Sequence, residues 1–318
     1  MKQFHLLKLQ AYLVAHLILF FTATTVIAHT TDPGPLTAHS NLFIQTTHGG
    51  LEWTPENLLG KNLLILHSYH ENENRTANIN KGIQKQFIEA GINVRYWVEY
   101  LDSKRFPYAS NTEKLVDIFK YKYKNKRLDA IIVSNSEALD FVIKHRDELF
   151  YGTPVVFTDV KHIDPALLLS ENWITGVLEQ ELDEIIETID VALQLHPDTT
   201  QLVLLSPGSK QAILTRQLHE KYGDKVDIVI NNESFMSDIE KSVKELPANS
   251  VILTTAEPRT KTGEIVPYYL LNERVASISH IPVYGISDTG FGAGIVGGKL
   301  ISGIELGRDA ARMVIGIF

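Results

Sequence analysis

Lys61-Asn62-Leu63-Leu64-Ile65-Leu66-His67-Ser68-Tyr69-His70 is the stretch whose reading decides the fold. Leu63 to His67 is an apolar run with no turn former in it, bounded by polar residues, which suits a strand buried on both faces. The chain then turns polar through Ser68, Tyr69, His70, Glu71 and Asn72, and a helical pattern follows from about Arg75 to Ala90. Strand, polar loop and helix make the first half of a βαβ unit. Ligands of open α/β sheets bind at the carboxyl ends of the strands, so Ser68, Tyr69 and His70 are expected at a cleft.

The same pattern recurs along the chain. Strands are expected over Val94–Tyr100, Ala130–Val133 and Pro154–Phe157. The helix after the first strand turns Ile79, Ile83, Phe87 and Ile88 inward, with Gly91 as its C-cap. A helix capped by Asn111 or Thr112 runs through Lys126 with Leu115, Ile118 and Phe119 inward. Another runs from Ser134-Asn135-Ser136 to about Phe150. After an extended piece, Ile174–Val177, and a helix over Leu182–Leu195, the alternation restarts. It brings strands at Leu202–Leu205, Val226–Ile230, Val251–Leu253 and Pro282–Ile286. Helices are expected from about Lys210 to Tyr222, Ser237 to Leu246, Val266 to Ser279 and Ser302 to Ile317. Such alternation implies parallel sheets with right-handed crossovers. A weak internal repeat divides it: Pro154-Val155-Val156-Phe157 leads to Thr175-Gly176-Val177 and a helix, and Pro282-Val283-Tyr284-Gly285 leads to Gly294-Ile295-Val296 and a helix. The expected fold is therefore α/β, with two similar lobes, each a parallel sheet flanked by helices, joined by a hinge. Lobe 1 is expected over 61–177, completed by 291–318, and lobe 2 over 178–290. The ligand cleft would lie between them.

Composition narrows the function. The 318 residues are 44% hydrophobic and 21% charged, which is globular, and the net charge of −8 offers no basic stripe for a nucleic acid. No cysteine is present, which excludes disulfides, thiolate metal sites and a cysteine nucleophile. Lys2 and Lys8 precede a mostly apolar run, Ala11 to Ala28, with small residues at Val26 and Ala28 before a possible cut at His29. Residues 1–28 read as a signal peptide or an uncleaved N-terminal anchor, and 29–60 as a linker rich in Thr, His, Pro and Gly. Both readings put the folded part outside the cytoplasm, in the periplasm or secreted.

Several stretches together resemble one family. They are Leu63–His70, Val98-Glu99-Tyr100-Leu101-Asp102-Ser103-Lys104-Arg105-Phe106, Asp129–Leu139, Phe150–Phe157 and Gly294-Ile295-Val296-Gly297-Gly298. Over about 61–318 the chain resembles the ABC-transporter substrate-binding-like proteins of the type I periplasmic-binding-protein fold. It is most similar to the branch that forms extracytoplasmic sensor domains of bacterial histidine kinases and diguanylate cyclases. The resemblance implies reversible capture of a small molecule, no catalysis and no cofactor. Its partner would be a membrane permease or a membrane-bound signalling protein. Sensors of that branch usually continue into a second transmembrane helix and an output domain, whereas this sequence stops at Phe318. A free-standing binding protein and the sensing ectodomain of a truncated receptor both stay open, with a secreted α/β enzyme as the third reading.

The strand-end rule supplies the candidate ligand residues: Ser68, Tyr69 and His70; Ser134, Asn135 and Ser136; Thr158 and Asp159. In lobe 2 they are Ser206 with Ser209, Thr254 to Glu257 (Thr255 and Glu257 above all), Ser287 with Asp288, and Tyr284. Tyr69, Phe157, Tyr284 and Phe291 offer apolar or stacking walls. An amino acid or other small carboxylate is the first expectation for the ligand. Competing motifs lack context. His67 and His70 lie three apart on an extended segment and point to opposite faces, so no metal site is expected. Gly292–Gly297 spells G-x-G-x-x-G but precedes only one helix. Asp288-Thr289-Gly290 occurs once, and aspartic-protease chemistry needs two such carboxylates.

Overall fold

The computed structural model describes residues 60–106, 112–179, 181–207 and 212–318. The expected targeting segment, all but Gly60 of the linker, and Ser209 lie outside them. β1 (Asn62–His67) pairs in parallel with β2 (Arg95–Tyr100) and β3 (Ala130–Ser134). With β4 (Val155–Val160) and β5 (Ile174–Leu178) they form a five-stranded sheet in the order β2-β1-β3-β4-β5. His67 stands opposite both Tyr100 and Ser134, so these three strands end level.

Period-two alternation explains why β1 is apolar throughout. Leu64 and Leu66 enter one core with Ile131, Val133, Val155 and Phe157. Leu63 and Ile65 enter another with Ala130, Ile132 and Val156. The first face is covered by α2 (Thr112–Tyr123) and α3 (Ser136–Lys144), through Val116, Phe119, Leu139 and Val142. The second is covered by α1 (Asn74–Glu89) and α10 (Gly303–Ile317), through Ile79, Ile83, Phe87, Ala310, Ala311 and Val314.

The second sheet repeats the scheme. β6 (Gln201–Leu205), β7 (Asp227–Asn231), β8 (Ser250–Thr254) and β9 (Val283–Gly285) are parallel in the order β7-β6-β8-β9. Leu202, Leu204, Val251 and Leu253 meet Ile185 and Ile189 of α6 (Glu181–Leu195) and Leu218 and Tyr222 of α7 (Ala212–Tyr222). Val203, Leu205 and Ile252 meet Ile239 and Val243 of α8 (Met236–Lys244) and Leu271 and Val275 of α9 (Tyr268–Ile278). The α/β class with two helix-flanked parallel sheets is thus the architecture found. α6 follows the last strand of the first sheet but packs on the second, and α10 does the reverse.

Four local expectations are corrected. The helix expected to run to Phe150 divides at His145 into α3 and α4 (Arg146–Leu149). α5 (Pro165–Ser170) was not foreseen; Asp164 caps it by accepting from the Ala166 N–H at 2.9 Å, with Pro165 in the first turn, where its missing N–H costs nothing. Ile88 and Ile118 are 74% and 48% exposed, because the buried stripes run through Ile79-Ile83-Phe87 and Val116-Phe119-Tyr123. The 294–296 segment does not repeat the strand formed at 174–178: Gly294 lies in a turn, and Ile295 and Val296 have no regular structure. It still bonds to β9, with Val296 N–H donating to Val283 C=O at 2.7 Å and Gly285 N–H to Gly297 C=O at 3.1 Å. At the end of α2 the Lys122 ammonium and the Tyr123 hydroxyl donate to Glu99, and Lys126 lies over the Trp97 ring.

α10 and α1 cross with their backbones in contact. A Cβ on Gly82 would stand 2.0 Å from Ile304 O, and one on Gly307 would stand 2.0 Å from Ile79 O. Nothing but glycine fits without separating the helices. Gly307→Ala is therefore expected to destabilise the protein by about 2 kcal/mol or more in urea unfolding, as overpacking against rigid backbone does. Gly316→Ala on the same helix meets no atom within 4 Å. It should be neutral or stabilising by up to about 1 kcal/mol. Equal effects of the two changes would refute this account of the crossing.

Candidate functional site

A cavity of about 220 Å³ lies between the carboxyl ends of the two sheets. Tyr69, Glu73, Arg75, Lys104, Asn135, Asp159, Lys161 and Glu179 line it from the first sheet's side. Thr255, Ala256, Glu257, Tyr268, Ile286, Ser287, Thr289 and Ile301 line it from the second.

The loops are set by the strand ends beneath them. Ser68 Oγ donates to Ser134 C=O at 2.9 Å and accepts from Ala138 N–H at 2.8 Å. Both the N–H and the hydroxyl of Ser103 donate to Ser68 C=O, at 2.9 and 3.0 Å. One serine thereby ties together the loops after β1, β2 and β3, and this places Lys104 against Tyr69. Asp102, Asn135 and Asp159 have φ of 56°, 68° and 57°, and are the non-glycine residues with positive φ among those described. All three stand at carboxyl ends of first-sheet strands. Asp and Asn enter the left-handed region at lower cost than other side-chain-bearing residues, and such outliers gather at ligand clamps.

Arg75 is the centre of charge. Its guanidinium donates to Asp159 Oδ1 at 2.5 and 2.8 Å, to Glu179 Oε1 at 2.9 Å and, more weakly, to Ser287 Oγ at 3.4 Å. The side chains of Asp159 and Glu179 are only 2% and 8% exposed, and that of Arg75 is 16% exposed. Burial alone would lower the Arg75 pKa, but Asp159, Glu179 and Asp288 outweigh it and hold the group above its ordinary value. Asn135 Nδ2 donates to Asp159 Oδ2 at 2.5 Å, so Asp159 is fixed from two sides. Across the cavity, Tyr268 OH donates to Thr254 C=O at 2.8 Å and accepts from Ile286 N–H at 3.1 Å. Thr255 N–H donates to Leu205 C=O at 3.0 Å.

Of the residues named from sequence, the structure brings Tyr69, Asn135, Asp159, Thr255 and Glu257 to this cavity, together with Ser287. Ser68, Ser134, Thr158, Ser206 and Tyr284 are buried and lie outside its lining. Thr158 Oγ1 donates to Leu306 C=O at 3.2 Å, and Tyr284 OH meets His196 Nε2 at 3.0 Å. His70 is half-buried and Ser136 is exposed, both away from the cavity. Asp288 Oδ2 instead accepts from Gly303 N–H at 3.0 Å, at the start of α10. Phe157 is core and Phe291 is 73% exposed. Sequence reading missed Glu73, Arg75, Lys104, Lys161, Glu179 and Tyr268. Lys104 had a signal, since it follows the end of β2, a strand end left out of the search.

His67 is buried beneath the cavity, its Nδ1 2.7 Å from Ser134 Oγ and its ring stacked on Tyr100. Nε2 and the nearby Asn80 Oδ1 are buried without a hydrogen-bond partner. Burial pushes the His67 pKa down to about 4, opposed by Asn80 and Asp159.

No family model matches the sequence, and no curated protein sequence does. Solved structures do. An arabinose-binding protein from Geobacillus stearothermophilus superposes with TM-score 0.56 at 12% identity, over 81% of this chain and 87% of the other. A substrate-binding protein with adhesive properties from Clostridium difficile, in its ligand-free open form, gives TM-score 0.56 at 12% identity, over 81% and 84%. An ABC domain from Streptococcus pneumonia in complex with L-Trp gives TM-score 0.50 at 14% identity, over 80% and 84%. The chain therefore has the type I periplasmic-binding-protein fold, as the sequence resemblance implied; likeness at this level of identity carries the fold alone.

Two outcomes follow from the buried groups. Arg75→Met leaves Asp159 and Glu179 without their buried counter-charge and should cost about 3–5 kcal/mol in urea unfolding; a loss below about 1 kcal/mol would show that solvent reaches the trio. Burial in the fold disfavours the imidazolium form of His67. Its contribution is complete above pH 6.5 and is lost as pH falls from 6.5 toward 4. That loss is worth up to about 3 kcal/mol. His67→Gln, which does not titrate, should lose less stability than the wild type between pH 7 and 4.5. Parallel losses would place the acid sensitivity elsewhere.

Proposed function

We propose that the chain is an extracytoplasmic small-molecule binding protein whose two lobes, 61–177 with 291–318 and 178–290, close over a ligand in this cavity. Tyr69, Asn135, Asp159, Thr255, Glu257 and Ser287 are its ligand-facing residues on this reading, with Arg75 fixing Asp159 in place. The ligand passes to, or is signalled to, a permease or signalling protein in the membrane. The observation that carries the reading is that one cavity takes its lining from the carboxyl ends of both sheets. Switch-point clefts of this kind are where α/β proteins hold ligands.

A binding role without catalysis fits the chemistry of the lining. A serine–histidine pair does lie nearby, Ser134 with His67, but both residues are 0% exposed. A substrate in the cavity has no route to that hydroxyl, and nucleophilic catalysis requires one.

A thermal-shift screen of amino acids, amines, sugars and organic acids tests the reading. A binder at a hundred times its Kd should stabilise the protein by about 2.7 kcal/mol. Tyr69→Ala should sharply reduce that shift. Small-angle scattering should show a smaller radius of gyration when the binder is added, as closure requires. A flat response across all four classes would overturn the proposal.

A further inference from the structure

The Lys104 ammonium is seated in a cage. Nζ lies 2.7 Å from Glu257 Oε2, 3.5 Å from Glu73 Oε1 and 4.2 Å from the centroid of the Tyr69 ring. All four residues line the cavity. An ammonium over an aromatic face and between two carboxylates is held by cation–π attraction and by two charge-assisted contacts.

The walls of the cage do not depend on the lysine. Glu73 uses Oε2 to accept from the Thr76 N–H at 2.7 Å, capping α1, and presents Oε1 to the cage. Glu257 uses Oε1 to accept from the Tyr268 N–H at 3.1 Å, at the start of α9, and presents Oε2. Tyr69 directly follows Ser68, whose hydroxyl and carbonyl are fixed by the neighbouring loops. Each carboxylate thus has one structural oxygen and one facing the cavity. The lysine, by contrast, is a flexible four-carbon stem on a loop, so its head can leave without disturbing the walls.

We propose that this cage is the ammonium subsite of the ligand cavity and that Lys104 is its internal competitor. A ligand carrying a primary ammonium displaces the Lys104 head, takes its contacts with Glu73 and Glu257, and lies against the Tyr69 ring. The proposal rests on the reading of the cavity as a ligand site and adds the ligand's chemical class.

Charge selects that class. Four carboxylates line the cavity, Glu73, Asp159, Glu179 and Glu257, against three cations, Arg75, Lys104 and Lys161. Arg75 is committed to Asp159 and Glu179 and is not available to serve the cage. Once Lys104 withdraws, Glu73 and Glu257, 16% and 22% exposed, lose their counter-charge. A sugar or a dicarboxylate leaves them so; a primary ammonium restores both contacts. The Tyr69 hydroxyl reports the same field: burial first, and then Glu137, Asp159, Glu257 and Glu73, raise its pKa.

The probe is n-butylammonium, the lysine head and stem without a backbone, against the neutral n-butanol. Both are titrated calorimetrically into the full chain at constant ionic strength. Butylammonium should bind and butanol should not. Lys104→Met removes the competitor and should tighten butylammonium binding by roughly tenfold, the scale of one such set of contacts; Lys104→Gln, which keeps a polar head, should do the same. Glu257→Gln should abolish it in every background. Equal binding of butanol, or unchanged or weaker butylammonium binding in both Lys104 variants, would overturn the subsite. If the metabolite screen finds only binders without an amine, the subsite fails while the clamshell reading survives. If it finds no binder of any class, the clamshell reading itself fails.

Discussion

The cavity depends on one buried guanidinium. Arg75 cannot lose its proton inside a protein, so burying it obliges the chain to bring carboxylates to it. Asp159 comes from the end of β4, Glu179 from just beyond β5, and the Ser287 hydroxyl from beyond β9 in the other sheet. A single side chain on α1 thereby fixes the end of the first sheet, the start of the crossover to the second, and the approach of the second sheet. Neutralising either carboxylate disturbs all three places, because a buried ion is tolerated only while its neighbours satisfy it.

Beneath this trio the strand ends follow a common rule. Ser68, Ser134, Thr158 and Thr254 are all 0% exposed, and each is followed by a residue that lines the cavity: Tyr69, Asn135, Asp159 and Thr255. The first residue of each pair spends its hydroxyl on strand-end or helix partners and so forms the floor. Thr254 Oγ1, for example, meets Asn272 Oδ1 at 2.7 Å, the Tyr284 carbonyl at 3.1 Å and the Tyr268 hydroxyl at 2.9 Å. The second residue stands where regular pairing stops, Asn135 and Asp159 with positive φ, and it lines the gap. Buried hydroxyls satisfied in this manner make a rigid base, and rigidity in the base is what lets flexible groups above it exchange partners.

That alternation explains what could be read in the sequence. The apolar runs at Leu63–Leu66, Ala130–Val133 and Leu202–Leu205 declare strands covered on both faces, and their spacing with helices declares parallel sheets. Strand-end polar pairs could be found too, but a composition-level rule does not say which member faces the gap, since that depends on register. Glu73, Arg75 and Glu179 escaped because they come from a helix's first turn and from a crossover, and only the fold brings those places beside the strand ends. The helix break at His145 and the short helix after Asp164 are decided by local capping against tertiary packing, where pattern alone is weak.

On the proposed reading, the charged lining also constrains how closure and ligand capture are linked. A ligand shifts the balance between open and closed forms only by the difference in its affinity for the two. The Lys104–Glu257 contact already joins a first-sheet loop to a second-sheet loop, so on that reading part of the closing energy belongs to the protein itself. A cation that took the place of Lys104 would inherit that contact and would have to exceed it through its other groups, at Asn135, Thr255 or Ser287. The internal pair would then set a threshold: ligands that match only the charge would be held weakly, and discrimination would fall to the other polar groups of the lining. An arrangement of this kind would trade affinity for selectivity, and would do so with a residue that belongs to the site's own loop.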